Sequence, residues 1–281
     1  MSASFYLLDG VFISATEPGL FPSNRGFRYG EGLFETMRYQ HGRIALWHYH
    51  WERLRAGMAL LGLEPPVHWG PEQILEKCLQ LVRKNKCGTA ARLRLTVCPG
   101  EGGLWETPRP AFRWVVECWK AEPLLHLHEN GLDLGVFDGG YKSCDPLSNL
   151  KSANYLLYAQ AARYAKTQHW NECLVLNQHN RIADATIANL FYVKAGTVYT
   201  PALREGGVAG VMRRYLLEQM PAMNIAVEET ACSPSDLLAA DELFLTNAFY
   251  GIRWVKQFGD ASLRNLFSSR LFAEVVKPLF A

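Results

Sequence analysis

The sequence predicts a mixed α/β protein, and three observations carry that expectation. Segments that alternate with the period of a strand are interleaved with segments that repeat at the period of a helix, so the two kinds of element are not segregated. The chain has 281 residues and is 49% hydrophobic, enough to bury a sizeable core and long enough to favour two domains. A pattern break over Lys120–Pro123 separates two such mixed halves. We therefore expect an N-terminal domain over 1–119, a linker over 120–123 and a C-terminal domain over 124–281.

In the first half, Phe5–Leu8 and Val11–Ile13 flank Asp9-Gly10, the signature of a two-residue hairpin turn. From Gly26 to Tyr39 the first part reads as a glycine-punctuated loop and the second alternates like a strand. Trp47, Trp51, Leu54, Met58 and Leu61 then form one apolar helical stripe, ended by Gly62 and Pro65-Pro66. Pro71 opens a second helix running through Val82. Ala91–Val97 and Phe112–Cys118 are expected strands, separated by the loop Pro99–Trp105.

The second half begins with a turn-rich run, Ser143–Ser148. A helix follows in which Tyr155, Tyr158, Ala159 and Ala162 share a face. Cys173–Leu176, Leu190–Val193 and Glu242–Thr246 read as strands. The glycine-rich stretch Gly206–Gly210 opens a helix whose Val208, Val211, Tyr215 and Leu216 fall together, and Leu263–Leu279 reads as a terminal helix.

Composition narrows the function classes. The formal net charge is +2, from 29 basic and 27 acidic residues, with no long run of either sign. That argues against a nucleic-acid binder and against a polybasic membrane anchor. No apolar run approaches a bilayer span, and Met1–Phe5 lacks the features of a secretory leader. Seven scattered cysteines, without a C-x-x-C or a Cys/His cluster at zinc spacing, fit free thiols in a reducing compartment and no metal site. A cytoplasmic protein is expected.

Five features together suit a phosphorylated aldehyde cofactor. Lys151 follows a turn and precedes a helix, giving a Schiff-base amine a flexible stem on a fixed root. Gly206–Gly210 leads into a helix N-terminus, where free amides favour a phosphate. Arg53 offers a planar charged fork. Asp184, between two apolar strands, could keep a pyridine nitrogen protonated. Leu245-Thr246-Asn247-Ala248 ends a strand in small polar groups able to meet phosphate oxygens. Each has a plainer reading when taken singly: a surface lysine, a turn, an exposed arginine, a capping aspartate.

Their order is more specific than any one of them. Arg28-Tyr29-Gly30-Glu31-Gly32-Leu33-Phe34-Glu35-Thr36, His50-x-x-Arg53-Leu54, Lys151-x-x-Asn154, Asp184-x-x-x-x-Asn189-x-Phe191, Gly210-Val211-Met212-Arg213 and Asp241–Asn247 succeed one another along the chain. This succession resembles the class-IV aminotransferases, the fold-type-IV enzymes of pyridoxal phosphate, from about Phe5 to about Val255. The resemblance implies a two-domain α/β (α+β) homodimer with its active site in an interdomain cleft. It implies pyridoxal 5'-phosphate on Lys151, which would also move the substrate's α-proton. Arg53, Val211, Met212, Thr246 and Asn247 would hold the phosphate, and Tyr155 would lie near the cofactor. Asp184 would face the ring nitrogen, while Tyr29, Phe34 and Arg38 would lie towards the pocket for a small amine or amino-acid substrate.

Within the family, Tyr29–Thr36 and Leu245–Gly251 look more like 4-amino-4-deoxychorismate lyases than branched-chain aminotransferases. An aminotransferase acting on branched-chain or D-amino acids is the alternative, and a cofactor-binding protein with little catalysis is a third reading. Two departures stand out. The family's acid at position 184 is normally glutamate, so aspartate loses roughly 1.5 Å of reach. The loop Gly102-Gly103-Leu104-Trp105 also lacks an arginine that many lyases carry.

Overall fold

The computed structural model describes residues 4–281. Met1–Ala3, where the leader was sought, lie outside the described residues. The chain divides into two compact units. The first comprises the residues up to Pro123 together with Lys151–Asn154 and Ala281, and the second comprises Leu124–Leu150 and Tyr155–Phe280.

The first unit is an antiparallel sheet with one short and two long helices. Strands β1 (Phe5–Leu8) and β2 (Val11–Ser14) form the expected hairpin, with Asp9 and Gly10 both at positive φ (49° and 87°). A short helix, α1 (Arg25–Tyr29), stands where the sequence reads as a loop. Its two ends explain it: the Asn24 side chain accepts from the Phe27 amide, and Gly30 adopts the left-handed conformation that closes the turn. Strands β3 (Leu33–Gln40) and β4 (Arg43–Ile44) precede helices α2 (Trp47–Leu61) and α3 (Pro71–Lys84). Strands β5 (Ala90–Cys98) and β6 (Arg113–Lys120) complete the sheet, in the order β2-β1-β6-β5-β3-β4. The buried face of α2 is Tyr49, His50, Leu54, Gly57 and Met58, rotated from the Trp47–Trp51–Leu61 stripe. The rotation turns a polar side chain, His50, inward to meet a carboxylate on β3.

The second unit is built on a nine-stranded mixed sheet. In chain order its elements are β7 (Leu132–Lys142), α4 (Leu156–Thr167), β8 (Glu172–Asn177), β9 (Ile182–Ala185), β10 (Asn189–Lys194) and β11 (Thr197–Pro201). There follow α5 (Val211–Ala222), β12 (Val227–Thr230), α6 (Pro234–Leu238), β13 (Glu242–Asn247), β14 (Gly251–Phe258) and β15 (Ala261–Ser262). The chain ends in α7 (Leu266–Leu271), a π-helical stretch over Phe272–Val276, and α8 (Lys277–Phe280).

The strand order is β12-β11-β10-β13-β14-β7-β8-β9, with β15 paired to β14. β7 runs parallel to both β8 and β14, and α4 is the crossover that parallel β7 and β8 require. One apolar layer contains Leu134, Leu174, Ile182, Leu190, Leu243, Leu245 and Val255. Another places Tyr158, Ala161 and Ala165 of α4 against Phe137, Cys173 and Val175. Ala159 and Ala162, expected on the inner face of α4, are exposed. The helix is rolled so that Tyr158, Ala161 and Ala165 face the sheet instead. Among the described residues no helix is long and apolar enough to cross a membrane.

Candidate active site

Lys151 is rooted by its backbone. Its carbonyl accepts the Phe34 amide at 2.9 Å, the Ala153 amide donates to Gly32 at 2.8 Å, and Ser152 bridges Leu33. The segment thus lies against the start of β3, whose far end pairs with β4. The Lys151 ammonium stands 4.3 Å from the centre of the buried Phe34 ring, which also receives the Arg94 guanidinium at 3.6 Å. The amine is thus fixed at its root, and its ammonium rests on an aromatic face that favours the charged form.

Beside it on the first unit, Glu35 gathers two partners from α2. Arg53 Nε reaches one carboxylate oxygen at 2.8 Å and its Nη2 the other at 2.5 Å, while His50 Nδ1 lies 2.6 Å from the latter. Burial alone would raise the Glu35 pKa, but Arg53 and His50 outweigh it and hold the acid down at about 2. Burial keeps the His50 pKa below its ordinary value against the pull of Glu35, with the positive charges of Arg53 and Lys151 acting in the same direction as burial. His50 Nε2 is buried without a hydrogen-bond partner. Arg53 is therefore a mostly buried, preoriented fork rather than a solvated helix arginine.

On the second unit, Asp184 lies inside β9, paired in register with Val175, rather than in a loop between strands. Its carboxylate is 2% exposed as a residue and collects donors from three places. The Tyr158 hydroxyl approaches both oxygens, at 3.0 and 2.9 Å, and the Val208 amide reaches Oδ2 at 2.8 Å. The Lys142 ammonium lies 4.0 Å from Oδ2. Tyr155 holds its ring 4.5 Å from that of Tyr158, tilted by 33°, and donates its hydroxyl to the Thr186 carbonyl at 2.6 Å.

Asn189 organises the other end of this site. It pairs in register with Thr246, and its amide donates to the Val208 carbonyl at 2.8 Å. Gly210, the N-cap of α5, packs so closely on Asn189 that a β-carbon there would collide with its side-chain Oδ1. Gly206, at φ 88°, similarly abuts the Ser143 carbonyl. These glycines thus permit close approach, of Gly206 to backbone and of Gly210 to the Asn189 side chain, and that packing delivers the start of α5, which has no side-chain cap, next to the strand carrying Thr246. The Thr246 hydroxyl is buried and has no hydrogen-bond partner.

An uncapped helix start beside an unpartnered buried hydroxyl is what a phosphate group satisfies. A buried, donor-rich carboxylate is what a protonated ring nitrogen pairs with. The residues present therefore fit pyridoxal phosphate.

The remaining sequence candidates are more committed. Asn247 spends its side chain on the turn after β13, accepting from the Phe249 and Tyr250 amides and donating to Ile187. Arg38 is buried, bonded to Gln40 and to the Glu122 carbonyl. Tyr29 is 42% exposed at the end of α1. The first unit brings together Lys151, Phe34 and the Glu35-bound Arg53, and the second brings together Asp184, Tyr155, Val211, Met212 and Thr246. Sequence reading passed over Glu35 and Tyr158, although each stood beside a chosen residue. It also passed over Lys142, for which the sequence offers no signal, because only the β7–α4–β9 packing joins it to Asp184.

Two mixed α/β units, a rooted lysine and these anion- and cation-directed groups define an enzyme of the pyridoxal-phosphate kind. The chain belongs to the class-IV aminotransferase family, whose model matches residues 32–258 and whose members use that cofactor. Relatives include the aminodeoxychorismate lyase of Bacillus subtilis, 30% identical across 86% of this chain and 82% of that protein. The aminodeoxychorismate lyase of Vibrio harveyi is 29% identical across 82% of this chain and 83% of its own. The branched-chain amino acid aminotransferase of Escherichia coli shares the fold, with a TM-score of 0.88 at 20% identity over 99% of this chain and 95% of that one.

Proposed function

We propose that this protein binds pyridoxal 5'-phosphate through Lys151 and acts as a 4-amino-4-deoxychorismate lyase, releasing pyruvate and forming 4-aminobenzoate. The observation that carries the proposal is the rooted Lys151, its carbonyl tied to β3 and its ammonium held on Phe34. The likeness to two aminodeoxychorismate lyases along four-fifths of the chain supports the choice of reaction.

When bound, the cofactor supplies an electron sink for the pair left behind as the α-proton departs. Lys151 Nζ takes that proton, and the proton taken balances the one that the methyl group of pyruvate requires. Asp184 holds the ring nitrogen in its protonated form. Val211, Met212 and the Thr246 hydroxyl bind the phosphate, and Arg53 and Asn247 complete the phosphate set. Tyr155 lies beside the ring, and Tyr29, Phe34 and Arg38 shape the substrate end. A homodimer in the cytoplasm completes the reading; seven free thiols support the reducing setting.

An aminotransferase is the second reading, favoured by the loop over 102–105, which has no arginine to receive a carboxylated ring. The visible spectrum of the purified protein separates the two. A cofactor band that persists with glutamate, branched-chain amino acids and D-alanine, together with pyruvate release from aminodeoxychorismate, is the expected result. Bleaching by one of those donors would replace the lyase with the aminotransferase. A band that never forms, with Lys151→Ala indistinguishable from wild type, would overturn both.

A further inference from the structure

The shorter acid at position 184 comes with its own support. Lys142 Nζ donates to the Tyr158 oxygen at 2.7 Å and to the Ser148 carbonyl at 2.9 Å. A tyrosine that accepts from an ammonium must turn its single proton elsewhere, and the atoms it faces are the two Asp184 oxygens, at 3.0 and 2.9 Å. The donor chain thus runs one way, from ammonium to hydroxyl to carboxylate, and each bond polarises the next. All three side chains are almost wholly withdrawn from water, with Lys142 9% and Asp184 3% exposed. A lone carboxylate at such a depth would take up a proton or find a cation. Here the cation is 4.0 Å away.

We propose that Tyr158 and Lys142 are positioning residues that orient the Asp184 carboxylate and keep it ionised, so that an aspartate serves where the family pattern has glutamate. This rests on the cofactor reading above. Asp184 pairs with Val175 beside a register irregularity between β8 and β9, and its carboxylate is held in place by hydrogen bonds rather than by the strand. Its usefulness to a ring nitrogen then depends on holding one rotamer, and the Tyr158 hydroxyl and Val208 amide grip it from two sides. The burial that raises the Tyr158 pKa well above the ordinary phenol value, reinforced by Asp184, keeps the hydroxyl a donor.

The test is a double-mutant cycle read as cofactor affinity of the apoprotein, by titration with pyridoxal phosphate. Tyr158→Phe is expected to weaken binding about tenfold, the scale of one hydrogen bond to a charged group. Asp184→Asn is expected to weaken it at least as much. The Tyr158→Phe/Asp184→Asn double variant should bind within about twofold of Asp184→Asn alone, because Tyr158 acts only through the carboxylate. The same factor for Tyr158→Phe in both backgrounds, or no effect in either, would overturn the proposal. Lys142→Met in the same cycle serves if Tyr158→Phe does not fold, and Lys142→Arg should restore affinity that Lys142→Met loses. Wild-type apoprotein that takes up no cofactor would instead sink the reading beneath it.

Discussion

Replacing Glu35 by glutamine should destabilise the protein by about 3 kcal/mol at neutral pH and by much less in acid. Glu35 is 1% exposed and lies between Arg53 and His50. Burial would by itself raise its pKa, yet the two partners bring it from 4.5 to about 2. At 1.36 kcal/mol per unit that depression corresponds to about 3 kcal/mol, at the lower end of the roughly 3–5 kcal/mol lost when one member of a buried ion pair is removed. Because the folded pKa lies below the unfolded one, this stability is fully present above about pH 4.5 and drains away as pH falls towards 2. His50 acts in the same direction. Burial holds its pKa below 6.5, so the folded state keeps it neutral and loses stability as pH drops below that value. Urea unfolding followed by tryptophan fluorescence at pH 7 and pH 3 measures the gap. We expect about 3 kcal/mol at pH 7 and about 1 kcal/mol at pH 3. A gap under about 0.5 kcal/mol at pH 7, or one unchanged at pH 3, would refute the reasoning, since surface substitutions give no more than that.

Thr246→Val should split two properties that usually move together. Removing a buried hydroxyl without a partner should raise apoprotein stability by about 1 kcal/mol, while pyridoxal phosphate binding weakens about tenfold; a melting temperature that falls would contradict it. Six of the seven cysteines are buried and only Cys144 is partly accessible, with burial and the Glu205 charge raising its pKa, so a chromogenic disulfide reagent should titrate one thiol in the native protein, faster as pH rises, and all seven in denaturant. Reaction of two or more native thiols would contradict the packing.

Much of the fold was legible because local chemistry and tertiary demand agree. Asp9-Gly10 turns a hairpin, Pro71 opens α3, and the strands around Leu93, Val175 and Leu245 are apolar enough to be read as buried. Where the two disagree, the sequence misleads. α2 is rotated towards His50 because Glu35 on β3 binds it, and α4 is rolled so that Tyr158, Ala161 and Ala165 meet Phe137, Cys173 and Val175 of the sheet. β7 escaped notice because Asp138-Gly139-Gly140 looks like a turn, yet the strand passes through it with a register shift against β8. In the site, the lysine, the aspartate and the threonine carry motif spacing and could be found. The groups that tune them could not, since Lys142 and Tyr158 reach Asp184 only through the packing of β7, α4 and β9.

The parallel pairing of β7 with β14 has a consequence for biosynthesis. Leu132 aligns with Val255, so a strand made early in the second unit must wait until almost the whole unit has left the ribosome before its neighbour exists. Until then β7 can pair on one side only, with β8, and its other edge is an open template for a wrong strand. The late arrival of β14, whose first residue is Gly251 of 281, makes the last part of the chain the kinetic gatekeeper of the sheet, and nascent chains stalled before it should be the ones that chaperones retain.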